Sequence, residues 1–249
     1  MEEKIFYNST NNIKLCGILN HLTDNKKIVI LCHGFNTNKD RSTKVVSDEL
    51  NVNLINTFGF DFRAQGESTG LDNEMTISGE IEDLESTISF LENKGYEEFI
   101  LYGGSFGGGI VALLDYNKYT NIKSIVLWCS TLDYSKKGEE SVFNDENKEI
   151  ALKDGFVTIE NSKGEVFRIG KKLYKERDLY MPYKNLEKVS MPILLVHGAK
   201  DENVPYEISK DISIKCKNSK LITIENATHS LKESPEAIKE TVEFVKSFI

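Results

Sequence analysis

The sequence has few cysteines, and none of them lies close to another. Cys16, Cys32, Cys129 and Cys216 form no CxxC motif, which excludes the zinc-ribbon and thioredoxin patterns. Cys32 and Cys129 end apolar, strand-like runs, where a free thiol packs as a small hydrophobic group. We expect all four thiols to be reduced, which is typical of a cytoplasmic protein.

Long apolar runs and an excess of positive charge are also missing. The longest aliphatic stretch, residues 28–32, is far shorter than the roughly 20 residues that span a bilayer, and we expect no signal peptide at the N-terminus. The formal net charge is −8, which argues against binding to nucleic acid or to an anionic membrane surface. With only 4 prolines and 17 glycines in 249 residues, disorder and fibrous repeats are not expected.

The chain instead contains a long alternation of strand-like and helical stretches. The predicted strands are residues 4–8, 13–19, 27–32, 53–57, 99–102, 124–129, 193–196 and 220–224, and the first two are expected to form a hairpin. The predicted helices are residues 43–50, 76–93, 106–116, 205–214 and 235–248. This alternation predicts an α/β fold with a mostly parallel central sheet and helices on both faces.

One region, residues 130–190, breaks the alternation. Its length of about 60 residues is too great for a plain loop in a compact domain. Residues 136–153 are charged and lack strong apolar periodicity, whereas residues 155–170 predict a β-hairpin with its turn at 161–164. We expect residues 133–187 to form an inserted cap on a core made of residues 1–132 and 188–249.

The strongest local signal is the segment GGSFG at residues 103–107, which has the form G-x-S-x-G. It follows a predicted strand and opens a predicted helix, which is the setting of a nucleophile elbow. Such a turn holds Ser105 in a strained conformation, and the helix N-terminus adds a positive dipole near a developing oxyanion. The alternative is a glycine-rich turn with an incidental serine.

A serine is a weak nucleophile unless a base activates it. Of the four histidines, His229 follows the last predicted strand and should lie at the same sheet edge as Ser105. An ordinary surface-loop histidine is the alternative. His33 and His197 each precede a glycine at a strand end and are expected to have structural roles, and His21 is expected at the surface.

The base in turn needs a carboxylate that orients it and stabilises the imidazolium. Asp201 directly follows the strand predicted at 193–196, and capping of the next helix is its alternative role. Asp133, which follows the strand predicted at 124–129, is the positional rival. The order Ser105, Asp201, His229 is nucleophile, acid, base, as in one fold among those that use such triads.

Five segments, in order, resemble the α/β-hydrolase superfamily over the whole chain. They are HGF at 33–35, DFRAQGES at 61–68, GGSFG at 103–107, HGAKDENVP at 197–205, and the late histidine. The resemblance is greatest to the small carboxylesterases of the cinnamoyl or feruloyl esterase group and to the serine aminopeptidase-like, monoacylglycerol lipase-like group.

The resemblance implies roles for individual residues. Ser105 would be the nucleophile, His229 the base and Asp201 the orienting acid. The backbone N–H groups of Phe35 and Phe106 would form an oxyanion hole. The sequence departs from the family at position 104, where glycine stands in place of a frequent histidine, and at positions 64 and 65, where Ala and Gln replace Gly and His.

The predicted function is hydrolysis of a carboxylic ester, with a small or medium acyl or aryl group, through an acyl-enzyme and without a cofactor or metal. The cap aromatic residues are candidates to line the substrate pocket, and packing of the cap onto the core is an equal alternative for each of them. These residues are Phe156, Phe167, Tyr174, Tyr180 and Tyr183.

Other functions remain open. The same triad could cleave amides in an aminopeptidase-like or acyl-peptide hydrolase. Binding of a peptide N-terminus would need carboxylates in the cap, and the cap carries many. The fold also includes perhydrolases, C–C bond hydrolases and non-catalytic ligand receptors. We expect the acidic residues between 139 and 149 to lie on a solvated helix face, and their functional alternative is repulsion of anionic substrates. The sequence leaves the oligomeric state open, a homodimer included.

Overall fold

A central sheet of eight strands organises the chain, and the computed structural model describes residues 1–160 and 164–249. The strands in chain order are β1 Glu2–Asn8, β2 Lys14–Asn20, β3 Lys27–Cys32, β4 Thr57–Asp61, β5 Glu98–Gly104, β6 Ile122–Trp128, then β7 Phe156–Glu160 and β8 Val166–Gly170 in a separate antiparallel hairpin, and finally β9 Ile193–Gly198 and β10 Ser219–Ile224. The sheet order is β1-β2-β4-β3-β5-β6-β9-β10. Strands β1 and β2 are antiparallel to their neighbours and the other six pair in parallel, which confirms the predicted sheet.

Helices cover both faces of this sheet. The α-helices of the described residues are α1 Lys44–Val52, α2 Ile77–Asn93, α3 Phe106–Leu113, α4 Asp145–Asp154, α5 Lys171–Arg177, α6 Pro182–Leu186, α7 Tyr206–Lys215 and α8 Pro235–Lys246. Strand β3 is buried on both faces: Ile28 and Ile30 pack in one layer with α2 and α3, and Val29 and Leu31 pack in the other with α1 and α8. Such burial explains its unbroken apolar run.

The strand predicted at 53–57 is wrong in position. Residues 53–56 form the turn that follows α1, in which Leu54 is exposed and has a φ of 59°, and the strand is Thr57–Asp61. Asn56 anchors this turn, because its buried side chain bonds the backbone of the neighbouring loop, including Leu22 N and Thr23 N. The helix predicted at 106–116 also ends earlier, at Leu113.

The segment between β6 and β9, residues 129–192, contains α4, the β7–β8 hairpin, α5 and α6. The predicted hairpin is confirmed, although residues 161–163 of its predicted turn lie outside the described residues. Helix α4 begins within the charged stretch, where the Asn144 side chain accepts from Asn147 N–H, and it ends at Gly155, whose φ is 95°. Ala151 is its buried residue, so the stretch shows little apolar periodicity.

The four cysteines are all buried and free, as expected from their spacing. In the part of the chain that the structure describes, no helix is both long enough and apolar enough to cross a membrane.

Candidate active site

Ser105 occupies a strained turn between β5 and α3. Its φ of 52° and ψ of −121° place a non-glycine residue in a conformation that costs free energy and recurs at functional sites. The turn is also tight: a Cβ added to Gly107 would lie 2.1 Å from the His33 carbonyl oxygen, and one added to Gly103 would lie 2.6 Å from Cα of Gly108. Glycine is therefore required on both sides of the serine.

A chain of hydrogen bonds joins Ser105, His229 and Asp201. The Nε2 atom of His229 lies 2.9 Å from Ser105 Oγ, and its Nδ1 lies 2.8 Å from Asp201 Oδ2. An ionised carboxylate can only accept, so Nδ1 donates to Asp201. In the neutral imidazole Nε2 then accepts from the serine hydroxyl. Each residue follows a parallel strand (β5, β9 or β10), and the carboxyl ends of these strands meet at one edge of the sheet.

The Asp201 side chain is fully buried, while that of His229 is 29% exposed. The Oδ1 atom of Asp201 accepts from the backbone N–H groups of Asn203 and Val204, both at 2.9 Å. Burial alone would raise the pKa of Asp201, but hydrogen bonds from His197 and His229 outweigh burial and hold this pKa well below its usual range. Asp201 therefore stays ionised and keeps accepting from His229 at neutral pH.

The rival carboxylate, Asp133, does not reach the histidine. Its Oδ1 accepts from the backbone N–H of Ser135 at 3.0 Å and from the hydroxyl of the same residue at 2.6 Å. Within the described residues it makes no hydrogen bond to His229. The structure thus brings Asp201, and not Asp133, into line with Ser105 and His229.

The loop after β3 places Phe35 beside Ser105. A Cβ added to Gly34 would lie 3.1 Å from Ser105 Cβ, which measures the closeness of the loop to the serine. Buried His33 holds the loop, since its Nε2 accepts from Phe62 N–H at 3.0 Å and its Nδ1 donates to the Gly34 carbonyl at 2.7 Å. Burial lowers the pKa of His33, which favours this neutral form.

The two backbone groups expected to form an oxyanion hole are those of Phe35 and Phe106. In residues 1–160 and 164–249, neither N–H donates to another group of the chain. Phe106 is the first residue of α3, where an N–H has no intrahelical acceptor. Both groups are therefore available to an oxygen atom bound beside Ser105.

Two cavities meet at these residues and share Phe35, Asn36, Ser105 and His229 in their walls. The first, here called the outer cavity, has a volume of about 360 Å³ and is also lined by Tyr102, Trp128, Arg41 and Glu165. The second, here called the inner cavity, has a volume of about 300 Å³ and is also lined by Phe106, Phe143, Phe167, Lys136 and Arg177. A substrate with two parts could place one part in each cavity and its reacting carbonyl at Ser105.

The five cap aromatic residues take different positions. Phe167 is buried and lines the inner cavity, with its ring centroid 5.6 Å from that of Phe35. The other four line neither cavity. Tyr174 is buried against Phe143, Tyr180 packs partly buried against the core, Phe156 lies exposed over Arg168, and Tyr183 lies beside Lys215. Packing and surface contacts therefore account for these four, as the alternative interpretation allowed.

Sequence analysis missed Phe143 and Arg177, which line the inner cavity. Phe143 precedes α4 in a stretch with no periodic signal. Arg177 ends α5, whose sequence KKLYKER is mostly charged. The one hint is spacing: Arg177 lies four positions after Leu173 and three after Tyr174, both buried, and so shares their helix face.

Within residues 1–160 and 164–249, two groups of side chains have the spacing of metal ligands. Cys129, Asp201 and His229 bring ligand atoms within 4.8 Å of one another, as do Cys16, Asp61 and Glu67. In the first group, Asp201 and His229 already bond each other. In the second, the ammonium of Lys39 lies 2.9 Å from Asp61 and 3.1 Å from Glu67, so a cation of the protein itself balances these carboxylates.

Individual proteins resemble this chain at low identity. The uncharacterized protein YfhR of Salmonella typhimurium is 26% identical over 200 residues, which cover 74% of this chain and 57% of that protein. The chain thus spans little more than half the length of this relative. The mitochondrial palmitoyl-protein thioesterase ABHD10 of Bos taurus is 23% identical over 216 residues, covering 84% of this chain and 68% of the relative.

Among solved structures, Est1E of Butyrivibrio proteoclasticus with bound ferulic acid has a TM-score of 0.76 and 22% identity, and the match covers 98% of this chain and 97% of Est1E. This likeness concerns the fold. The prolyl oligopeptidase family model matches residues 148–249. The model described as the alpha/beta hydrolase fold matches residues 27–155, which is more than half of the chain. The chain therefore belongs to the alpha/beta hydrolase fold family.

Proposed function

We propose that this hydrolase cleaves a carboxylic ester with a small or medium acyl or aryl group, using Ser105 as the nucleophile. The observation that carries the proposal is the continuous hydrogen-bond chain from Ser105 Oγ through His229 to Asp201. A strained serine, a neutral base that accepts its proton and a buried carboxylate behind the base are the three parts that this chemistry needs.

The reaction follows from these positions. Ser105 Oγ attacks the acyl carbon while His229 Nε2 takes the hydroxyl proton, and Asp201 stabilises the resulting imidazolium. The backbone N–H groups of Phe35 and Phe106 bind the oxyanion, a contact typically worth about 2.7–4 kcal/mol per donor. His229 then protonates the leaving alcohol. Water attacks the acyl-enzyme with the same histidine as base, and the acid leaves.

We also propose that residues 133–187 act as a cap on a core of residues 1–132 and 188–249. Phe143, Phe167 and Arg177, all from the inserted region, line the inner cavity next to Ser105. Their position supports a role of the cap in selecting the substrate. Four free cysteines fit the expected cytoplasmic location.

The test is hydrolysis of p-nitrophenyl esters from acetate to decanoate, with methyl ferulate alongside, by the protein and by Ser105→Ala. We expect turnover by the native chain and its loss in the variant. A fluorophosphonate probe should label the native chain at Ser105. A folded protein that neither turns over any ester nor accepts the probe would refute the proposal and favour a ligand receptor.

Cleavage of amides is the second candidate, because residues 148–249 match the prolyl oligopeptidase family model. An aminopeptidase needs an anionic group for the substrate ammonium. The described lining of the inner cavity holds the cations Lys136 and Arg177 and no carboxylate, while Glu165 of the outer cavity is paired with Arg41. This charge distribution favours the ester. Release of nitroaniline from aminoacyl-nitroanilides, faster than ester turnover, would reverse the preference.

Thioesters should be included in the same assay, because the bovine relative is named as a palmitoyl-protein thioesterase. The Ser105 mechanism is the same for an oxygen or a sulfur leaving group. The values of kcat/KM for an octanoyl thioester and an octanoyl ester, with thiol and alcohol leaving groups of matched size, would rank the two classes of substrate. Perhydrolase activity would be detected as halogenation that depends on peroxide and acetate.

A further inference from the structure

Arg177 is a buried cation that has no anionic partner among the described residues. Its exposure is 7%, yet no carboxylate of the described residues lies within ion-pair distance of it. Its one hydrogen bond in the described chain is a long one, from Nη2 to the Tyr134 carbonyl oxygen at 3.4 Å, and Nη1 has no acceptor. A guanidinium carries five N–H donors, so most of its donors are unused.

The nearby acidic residues are committed elsewhere. Glu176 accepts from both the backbone N–H and the hydroxyl of Ser78, and Asp178 is paired with Lys148 at 2.7 Å. Neither carboxylate forms an ion pair with Arg177, although the charge of Asp178 is near enough to favour its cationic form. Lys136, which also lines the inner cavity, is itself a cation and is paired with Asp211 at the surface.

Aromatic rings replace an anion as the neighbours of this cation. The guanidinium carbon lies 4.0 Å from the ring centroid of Phe143 and 4.7 Å from that of Tyr134. Such contacts stabilise a cation but leave its in-plane donors unsatisfied. Burial lowers the pKa of Arg177 to about 10, so the side chain still carries its charge at neutral pH. A buried, unpaired charge is unfavourable for the free protein.

The same side chain lines the inner cavity together with Ser105 and His229. Phe143, which stacks on the guanidinium, lines this cavity too. A molecule bound there therefore meets an apolar wall, a cationic fork and the serine hydroxyl in one continuous space. A carboxylate has the planar, two-oxygen shape that a guanidinium fork binds best.

We propose that Arg177 binds a carboxylate of the substrate. Esters that also carry a free, anionic carboxylate are then the preferred substrates of this hydrolase. The proposal rests on the ester hydrolysis proposed above. The carboxylate could stand on the acid part, as in a half-ester of a dicarboxylic acid, or on the alcohol part, as in the acetyl ester of a hydroxy acid. Both place a free carboxylate in the inner cavity while the ester lies at Ser105.

The experiment compares charged and neutral esters of equal chain length. Monomethyl esters of the dicarboxylic acids from succinic to suberic are paired with methyl esters of the matching monocarboxylic acids, and acetyl esters of hydroxy acids with acetyl esters of alcohols. Hydrolysis is followed by pH-stat titration at neutral pH. We expect kcat/KM to favour the charged member in at least one series, mainly through a lower KM.

Arg177→Met should lower the charged-to-neutral ratio of kcat/KM by about ten- to one-hundred-fold, the usual range for loss of a hydrogen-bonded charge. Arg177→Lys should keep part of the preference, because it retains the charge but not the fork. Arg168→Met is the matched control: Arg168 lies in the same inserted region, pairs with Asp72 at 2.8 Å and lines neither cavity. It should leave the ratio near that of the native chain.

Binding to Ser105→Ala, which retains Arg177, tests the proposal without turnover. Isothermal titration should detect adipate and give a weaker signal with hexanoate. Two results would overturn the role of Arg177 and leave the esterase proposal intact. One is hydrolysis of neutral esters with no preference for the charged esters, and the other is a charged-to-neutral ratio of kcat/KM that is unchanged in Arg177→Met. Absence of turnover on every ester would instead refute the esterase, and adipate binding would still decide whether Arg177 holds a carboxylate.

Discussion

The imidazole of His197 lies against the carboxylate of Asp201, with Nε2 3.2 Å from Oδ2. The same Oδ2 accepts from His229 Nδ1. His197 is fixed in turn, because its Nδ1 hydrogen bonds with the Ser209 hydroxyl at 2.7 Å and its Nε2 lies 3.0 Å from the Val204 carbonyl oxygen. Asp201 is thus held between a buried histidine and the histidine that reaches Ser105.

His197 lines neither cavity, yet its replacement should impair catalysis because it positions Asp201. In His197→Phe the ring remains but the donor is lost, so the pKa of Asp201 rises and the carboxylate is less well oriented. We expect kcat to fall about ten-fold or more. The measurement is kcat at neutral pH for His197→Phe and for the native chain. An unchanged kcat in a folded variant would contradict this role.

The choice between the two carboxylates gives a paired prediction. Asp201→Asn keeps the shape but favours the wrong histidine tautomer, and a comparable change in a serine protease lowers kcat about 10⁴-fold. Asp133→Asn should stay near the native rate, because the carboxylate of Asp133 bonds only Ser135 among the described residues. Kinetics on one p-nitrophenyl ester decide the matter, and the reverse pattern would move the acid to Asp133.

Asp201 should also make stability depend on pH. The pKa of Asp201 in the folded state lies below the ordinary 3.8. As the pH falls, Asp201 is therefore protonated in the unfolded chain at a higher pH than in the folded chain. The stabilisation from ionised Asp201 is then fully present above pH 4 or so and is lost progressively below it. Urea unfolding at several pH values should show the native chain losing more stability than Asp201→Asn in this acid range. Parallel curves would contradict the prediction.

Much of the site is predictable because the chemistry sits at strand ends. Ser105, Asp201 and His229 each follow a strand of a parallel sheet, and such strands end at a common edge. The glycines around Ser105 mark a turn in which the backbones approach closely, and the structure has that approach. Position alone does not distinguish Asp201 from Asp133, because both follow strands at this edge. The choice of Asp201 rests on the resemblance of residues 197–205 to the family, and in the structure Asp201 is the one that bonds His229.

The remainder depends on packing that leaves little trace in the sequence. Arg177 lies in a short, mostly charged helix, and its burial comes from Tyr134 and Phe143, which are distant along the chain. Strand β4 was displaced in the prediction because Gly59 interrupts its apolar residues and weakens the signal. Tertiary contacts thus decide the burial of Arg177, whereas a weak local pattern accounts for the misplaced strand.

Ala64 is an opportunity to stabilise the fold. It has a φ of 62°, a left-handed conformation that glycine adopts without steric cost. A left-handed conformation costs an L-residue roughly 1–2 kcal/mol. Glycine avoids this cost, but it lowers stability by about 0.4–1 kcal/mol because it gives the unfolded chain more conformational entropy. Ala64→Gly should thus raise the free energy of unfolding by about 0.5–1 kcal/mol. In urea titrations Ala112→Gly, within α3, should have the opposite sign; a destabilised Ala64→Gly would refute the argument.

Two aromatic residues of the β7–β8 hairpin differ in burial and in their position relative to the inner cavity. Phe167 is buried and lines the inner cavity, whereas Phe156 is 36% exposed and lies over Arg168. Phe167→Ala should enlarge the cavity and shift the optimum among p-nitrophenyl esters toward longer acyl chains or bulkier leaving groups. Because a buried ring is lost, the free energy of unfolding should fall by about 3 kcal/mol.

Phe156→Ala should alter neither property much, since an exposed ring contributes little to the core and this one is not among the described residues that line the outer or inner cavity. The ratio of kcat/KM for decanoate to that for acetate, measured in both variants, separates a change of pocket from a general loss of activity. If Phe156→Ala shifted this ratio and Phe167→Ala did not, the acyl chain would bind outside the inner cavity, along the exposed face of the hairpin.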